Sequence, residues 1–370
     1  LFGFALSRFA GVWAGLKCIK DTVEVTSVVN GDPQRLQFVL PDFDMPEGGL
    51  NIRLIDTPQA QEARIIDYKR HAAQAFARAN KMDKRVLGQA GAKIGFVAAG
   101  KNWLDLAHAM QVLGMDQAAA IAHGVTTYKV AMTWPLDVDT FSEWAEGLDT
   151  IVVVEEKRKL IEVQIKEALF NDRRGRQVLG ATDAVGRVLF PDSYALDPMV
   201  IAEKIGKILV AGGCGSEQLN GALRKIEEAK HANNAPTLAS RLPYFCSGCP
   251  HSSSTKIPEG SRAYSGIGCH YMVQWMDRDT LGFTQMGGEG ANWIGESLFS
   301  TRDHVFQNIG DGTYNHSGIQ AIRAALAAGT TMTYKILFND AVAMTGGQTN
   351  DGGLNAARIV QEMRGIGVQH

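Results

Sequence analysis

The stretch that most constrains this chain lies near its C-terminal end. Asn308-Ile309-Gly310-Asp311-Gly312 is answered by Leu337-Phe338-Asn339-Asp340-Ala341. His304 to Ile309 reads as a strand, His316 to Ala328 has Ala, Ile and Leu at helical spacing, and Tyr334 to Phe338 reads as a second buried strand. The result is a β-α-β unit with a carboxylate at the tip of one strand and a carboxamide at the tip of the next. Open α/β sheets bind ligands at that edge. Asp311 and Asn339 are hard oxygen donors, which Mg²⁺ accepts alongside phosphate oxygens and water. Gly310 and Gly312 let the backbone approach a diphosphate, and the following helix offers free N–H groups to anions. An isolated Gly-Asp-Gly reads as a turn with the Asp as helix cap. Here the 26 residues from 313 to 338, one helix and one strand long, and Thr345-Gly346-Gly347-Gln348 beyond them, favour a cofactor site.

Composition sets outer bounds. The 370 residues suffice for two or three domains, and 45% hydrophobic with 21% charged residues is the balance of a soluble globular protein. A net charge of −2 points to neither nucleic acid nor an anionic membrane as partner. No apolar run approaches the ~20 residues of a spanning helix, and no secretory signal is visible. Five cysteines, an odd number, do not make a disulfide framework, so a reducing cytoplasm is the natural home. The chain starts at Leu1 inside an apparent helix and stops at His370 after another, Leu354 to Met363, so it reads as an excerpt of a longer polypeptide.

Taken in order, residues 1–20 read as an apolar helix containing a buried Cys18. Asp21 to Val29 and Arg35 to Leu40 read as strands around an Asn30-Gly31-Asp32-Pro33 turn, and 41–58 as loop. Residues 59–85 read as a polar helix whose basic residues form a solvated face. From Lys93 the pattern alternates. Strands are expected at Ile94–Ala99, Tyr128–Met132 and Thr150–Glu155, and helices at Asn102–Leu113, Val138–Glu146 and Lys157–Leu169. That alternation argues a parallel sheet with helices on its faces. Gly100-Lys101 lacks the upstream glycine and the Ser/Thr of a phosphate loop. Glu155 and Glu156 fit the N-terminal charge of the next helix. Residues 171–240 hold a basic loop, Asp172-Arg173-Arg174-Gly175-Arg176, and read as a link between two α/β units. Ile208 to Gly215 imitates a dinucleotide fingerprint, but Gln218 occupies the third glycine position.

A second signal is Phe245-Cys246-Ser247-Gly248-Cys249-Pro250-His251, followed by Gly266-Ile267-Gly268-Cys269-His270. Cys-x-x-Cys puts two thiols on one turn, as metals, clusters and redox disulfides all require. Three cysteines leave a four-ligand site one short. His251 or His270 would complete a zinc site, and by chemistry alone zinc and an iron–sulfur cluster are equally good readings. Met286-Gly287-Gly288-Glu289-Gly290 is by itself a Gly-rich loop, with Glu289 as readily a surface residue.

Gly310-Asp311-Gly312 with Asn339 resembles the thiamine diphosphate motif. That resemblance implies Mg²⁺ held by Asp311, Asn339 and the backbone oxygen of Ala341. Many members have Asn-Asn where this chain has Phe338-Asn339; the second Asn is the ligand. Cys246, Cys249, Cys269 and Gly-Asp-Gly, in that order, together with the end of the Leu337–Gln348 stretch, resemble the 2-oxoacid:ferredoxin oxidoreductases. There the three cysteines bind a [4Fe–4S] cluster, with a fourth ligand from outside this chain; Cys214 is expected to be structural. Cys-x-Gly-Cys-Pro-His with Met286 to Trp293 is most similar to indolepyruvate ferredoxin oxidoreductases, in their long fused bacterial form. Ser7 to Trp13 and Gly49 to Arg53 fit that form too. The 93–170 unit resembles the third domain of transketolase-like enzymes. The implied fold is α/β, two doubly wound parallel-sheet units joined by an α+β linker. The implied division is 1–92, the end of an upstream pyrimidine-type domain with a connecting segment; 93–170, transketolase C-terminal-like; 171–240, linker; and 241–370, the diphosphate-binding domain. Gly287, Gly288 and Thr345 join Gly310 and Gly312 as expected cofactor neighbours, and His251, His270 and Asn292 are offered for the substrate pocket. The implied reaction is oxidative decarboxylation of an aryl 2-oxoacid such as indolepyruvate, with coenzyme A as acyl acceptor and ferredoxin as electron acceptor, in a homo-oligomer. The activating glutamate is expected outside this chain, which alone would be inactive. The alternatives are a non-oxidative thiamine-dependent decarboxylase with zinc at its cysteines, or a non-enzymatic zinc-bound scaffold.

Overall fold

Unbroken apolar runs become central strands, because a strand covered on both faces has no solvent side to leave polar. In the computed structural model, which describes residues 1–172, 174–233 and 241–369, these runs build two separate sheets. The chain divides into two units, Leu1–Ala235 and Pro236–His370.

The sheet of the first unit has strands β1 (Lys84–Leu87), β2 (Ile94–Ala99), β3 (Val125–Val130), β4 (Thr150–Val154) and β5 (Gln177–Leu179), in the order β1-β3-β2-β4-β5. All pairings are parallel except β1 on β3. Side chains alternate across it as the pleat requires. Phe96, Ala98, Val152 and Val154 pack with Leu106, Ile201, Ile205 and Leu209. Val97, Ile151 and Val153 pack on the other face with Phe141, Trp144, Ile161 and Ile165. Glu155 does cap a helix: its carboxylate accepts from the N–H groups of Leu160, Ile161 and Glu162 at 3.0–3.3 Å.

Four expectations change in this unit. Asp21–Val29 and Arg35–Leu40 are not strands; only a helical turn at Lys20–Val23 and a 3₁₀ turn at Pro33–Arg35 form. Their β-branched residues have no neighbouring edge to pair with, and Val25, Val28 and Val29 are exposed. Cys18 is exposed, not buried. The basic residues of the helix at Pro58–Ala79 are not all solvated: Lys69 Nζ donates to the Gly11 carbonyl at 2.9 Å, and Arg78 pairs with Asp137 and Asp139 at 2.6 Å. The segment read as a linker is largely part of this unit. It supplies β5, the helix Pro198–Ala211 that packs in the sheet's core, and the helix Glu217–Asn233. Three-residue β5 is too short to show periodicity, yet β4 offers it an open edge. The helix Pro198–Ala211 was readable: Asp197 caps it, accepting from Met199 and Val200, and Pro198 opens it. Ile208–Ala211 is the end of that helix, so no strand precedes the glycines of the apparent fingerprint. Arg173 of the basic loop and residues 234–240 lie outside the described residues.

The sheet of the second unit has β6 (Ala263–Ser265), β7 (Thr280–Phe283), β8 (Val305–Gly310) and β9 (Met332–Leu337), in the order β7-β6-β8-β9, all parallel. The helix Ile319–Ala328 and the helix Ala356–Gly365 bury Ile322 and Ile359 with Ile309, Tyr314 and Leu354. Trp293 is buried with Tyr264 and Val305. Parallel strands end at one edge. Here that edge carries the Gly266–Cys269 loop after β6, the 284–290 loop after β7, Asp311 after β8 and Asn339 after β9.

Candidate functional site

Register brings the two strand-end residues together. Gly310 of β8 pairs with Leu337 of β9, so Asp311 and the Asn339 loop leave the sheet side by side. Asp311 is 4% exposed. Its Oδ1 accepts from Gly312 N–H at 2.8 Å, and its Oδ2 accepts from the N–H groups of Asn339 and Asp340 and from Asn350 Nδ2, each at 3.0 Å. Only the Oδ1 bond stays within its own helical turn. This carboxylate reaches across to the neighbouring strand's loop. Asn339 turns its Oδ1 to the Ala341 N–H at 3.1 Å, and Asp340 takes a left-handed φ of 59° to make that turn. A side chain at Gly312 would press on Val342 at 3.3 Å, so the second glycine of the motif sits in a tight contact. Thr345 is exposed and bonds within its own loop, to Val342 O and Gln348.

The glycine loop after β7 is part of this edge. Gly287 has φ 90°, and a Cβ there would sit 2.5 Å from Ser317 Oγ, on the helical turn that follows Asp311. Gly288 packs in the same way on the Gln285 amide. Glu289 is no surface residue: its side chain is fully buried. Its Oε2 accepts from Gly287 N–H at 2.7 Å, while Oε1 lies against Gly266, where a Cβ would come within 2.5 Å. Burial pushes its carboxyl pKa above the usual range. Tyr334 of β9 donates to the Glu289 carbonyl at 2.9 Å. Met286 remains half exposed.

The cysteines stand nearby. Cys246, Cys249 and Cys269 are all free thiols. Burial, then the charges of Cys246 and Cys249, push the Cys269 thiol up, so the three are electrostatic neighbours. Among the described residues, no three His, Cys, Asp or Glu side chains converge as a metal cage. His251 and His270 are buried, and the Nε2 atom of each has no partner. Burial, reinforced by His251, lowers the His270 pKa to about 4. Burial lowers His251 as well, with Asp311 opposing it. The His270 ring lies 3.7 Å from the Cβ position of Gly310. Both imidazoles are therefore neutral and border the Asp311 turn. Oδ1 of Asn292 is likewise buried without a partner. Such orphaned polar atoms are uncommon in a packed interior, and those of the two histidines border the Asp311 turn. A cleft of about 700 Å³ elsewhere in the unit is lined chiefly by apolar residues such as Ile322, Ile336 and Ile359, and takes in none of these groups. Cys214, in the first unit, is buried with its thiol 3.5 Å from the His123 carbonyl, a structural position.

Comparison with known proteins gives the class first. Residues 266–364 match the C-terminal TPP binding domain of thiamine pyrophosphate enzymes. The chain therefore carries the cofactor-binding domain of that class. Residues 84–233 match the indolepyruvate oxidoreductase domain. Cys246 and Cys249 fall between the two matches and Cys269 inside the second. The chain is 26% identical over 285 residues to indolepyruvate oxidoreductase subunit IorA of Thermococcus kodakarensis, covering 72% of this chain and 41% of that protein. It is 25% identical over 273 residues to the IorA subunit of Methanothermobacter marburgensis, covering 70% and 39%. It thus spans about two-fifths of the length of these relatives. The chain is thus similar to indolepyruvate oxidoreductase subunits over most of its length and carries matches to an indolepyruvate oxidoreductase domain and a thiamine pyrophosphate-binding domain. Among solved structures it is similar to a 2-oxoglutarate:ferredoxin oxidoreductase from Magnetococcus marinus, with a TM-score of 0.28 and 14% identity over 52% of this chain and 30% of that one. That score is too low to bear on the site. No described helix is long and apolar enough to cross a membrane.

Proposed function

We propose that this chain supplies the cofactor-binding part of an enzyme that oxidatively decarboxylates aryl 2-oxoacids of the indolepyruvate type to acyl-CoA and passes the electrons to ferredoxin. The observation that carries the reading is Asp311, a buried strand-end carboxylate bonded to the loop that presents Asn339. The donor set fits Mg²⁺ and a diphosphate: Asp311, Asn339 and the Ala341 carbonyl would hold the ion. Gly310, Gly312, Gly287, Gly288 and Thr345 would border the cofactor. Cys246, Cys249 and Cys269 offer the soft thiolates of a [4Fe–4S] cluster, with a fourth ligand from elsewhere. Thiamine diphosphate, when bound, supplies the nucleophile and electron sink that decarboxylation of a 2-oxoacid needs, and the protein supplies binding and orientation. His251 and His270 offer neutral hydrogen-bonding groups at the Asp311 turn, and with Asn292 they would line the substrate side. Residues 93–170, completed by β5 and the two helices after it, would form the transketolase-like domain and 241–370 the diphosphate-binding one. Five free thiols favour a cytoplasmic home, and we infer a homo-oligomer.

The test is an anaerobic absorption spectrum with iron and sulfide analysis on the full-length polypeptide. Absorption near ~400 nm that bleaches on adding indolepyruvate and coenzyme A supports the reading. A colourless protein with stoichiometric zinc overturns it in favour of a non-oxidative decarboxylase or a scaffold, which thiamine diphosphate binding then separates.

A further inference from the structure

Two cations from different parts of the second sheet converge on the backbone just after the Cys-x-x-Cys turn. Arg278 lies ahead of β7. Its Nη1 donates to the Ser252 carbonyl and to Thr255 Oγ1, both at 2.7 Å, and its guanidinium lies 6.0 Å from the Phe245 ring centre. Lys335 lies in β9, opposite Asn308 of β8. Its Nζ donates to the carbonyls of Ser254 at 3.0 Å and Lys256 at 2.6 Å, over the Phe306 ring. These acceptors belong to the helical turn His251–Ser254 and its exit. The last carbonyls of a helix lack internal partners and carry its negative end, so two cations there satisfy both needs. The turn is continuous with the cysteines: Ser252 N–H donates to the Cys249 carbonyl at 3.1 Å, and Cys249 N–H to that of Cys246 at 3.0 Å. Arg278 is also held in an unusual way. Asp277 and Asp279, on either side of it, have φ of 52° and 48°. L-residues avoid that left-handed region, Asp less than most, and such outliers persist only where the surroundings enforce them.

We propose that Arg278 and Lys335 are positioning residues that hold the Cys246–Cys249 turn, and His251 with it, in register with the strand-end edge of Asp311 and Asn339. The coupling is short. Lys335 in β9 stands four residues before Asn339, and its partner Asn308 in β8 stands three before Asp311. The proposal rests on the reading of these cysteines as cluster ligands given above.

The test compares the full-length polypeptide with its Arg278→Met, Lys335→Met and Lys335→Arg variants, purified anaerobically. Iron and sulfide per chain are measured first. Then, after iron removal, the alkylation rates of Cys246 and Cys249 by iodoacetamide are followed by peptide mass spectrometry, with hydrogen exchange across β8 as the fold control. Both methionine variants are expected to lose at least half of the parent's iron and to alkylate at least tenfold faster, with β8 protected as in the parent. Lys335→Arg is expected to restore iron to the parental level. Parental iron content and alkylation rates in both methionine variants would overturn the proposal. A parent without iron defeats the cluster reading instead, and the alkylation rates still decide whether the two cations hold the turn. If β8 loses protection in the methionine variants, Arg278→Lys decides: one ammonium cannot keep the guanidinium's placement on Ser252 and Thr255, so it must lose iron with β8 intact, and full retention overturns the proposal.

Discussion

Asp311→Asn is the substitution that separates the structural from the ligand role of the strand-end carboxylate. The charged side chain accepts four hydrogen bonds: one at Oδ1 and three at Oδ2. A hydrogen bond to a charged group contributes about 1.5–3 kcal/mol and a neutral one about 1 kcal/mol. In the better amide orientation the asparagine oxygen takes the place of Oδ2 and keeps three bonds at neutral strength. Its NH₂ group then meets the Gly312 N–H donor head on. The three weakened bonds and the lost one together cost about 3–9 kcal/mol. Relief of the buried charge recovers part of this, so we expect a net loss of about 3 kcal/mol, the low end of that range. The assay is urea unfolding of the full-length polypeptide followed through the second unit, paired with calorimetric titration of thiamine diphosphate at fixed Mg²⁺. Loss of one anionic ligand should weaken Mg²⁺-dependent binding at least ~tenfold, or about 1.4 kcal/mol. An unchanged urea midpoint would refute the hydrogen-bond reasoning. Unchanged Mg²⁺-dependent affinity would refute the assignment of Asp311 as ligand.

The other predictions concern the carboxyl behind the glycine loop. Burial raises the Glu289 pKa, so the folded state keeps a proton that the unfolded state releases. Stability from the neutral acid is therefore complete below the unfolded value and is lost as pH rises through the folded one. Glu289→Gln, neutral at all pH, should gain stability relative to the parent between about pH 4 and pH 7, measured by urea midpoints along that range; a pH-independent difference would contradict a raised carboxyl. Gly266→Ala should destabilise by about 2–3 kcal/mol, since its Cβ would come within 2.5 Å of buried Glu289 Oε1. The double variant Gly266→Ala/Glu289→Ala should recover part of that loss, and strict additivity would show that the two do not touch.

Much of the site was legible because its parts are local. Gly310-Asp311-Gly312 and Asn339 lie at the ends of two long apolar strands with one helix between, and such an order leaves few topologies. The Ile94–Ala99 and Thr150–Val154 strands were readable for the same reason. Glu289 was not. A glutamate in a glycine loop carries no periodic signal, and its burial depends on Gly266 and Tyr334, which are distant in sequence. Arg278 and Lys335 were missed likewise, since their acceptors are backbone carbonyls, which every residue has. The N-terminal valines misled in the other direction: their β propensity expresses itself only where a sheet edge is available.

The sequence by itself therefore determined the parallel α/β class, the order of the chemical groups, and the pairing of an acid with an amide at adjacent strand ends. These follow from period, spacing and chain connectivity, which are properties of neighbours in the chain. Only the tertiary structure decided that β5 and its two following helices complete the first sheet. It alone decided that Glu289 and the two histidines are buried against the Gly266–Cys269 and Asp311 turns, and that two distant cations donate to the segment just after the cysteine turn. Burial and hydrogen-bond partnership arise where parallel strands end together, and that convergence exists only once the sheet has formed.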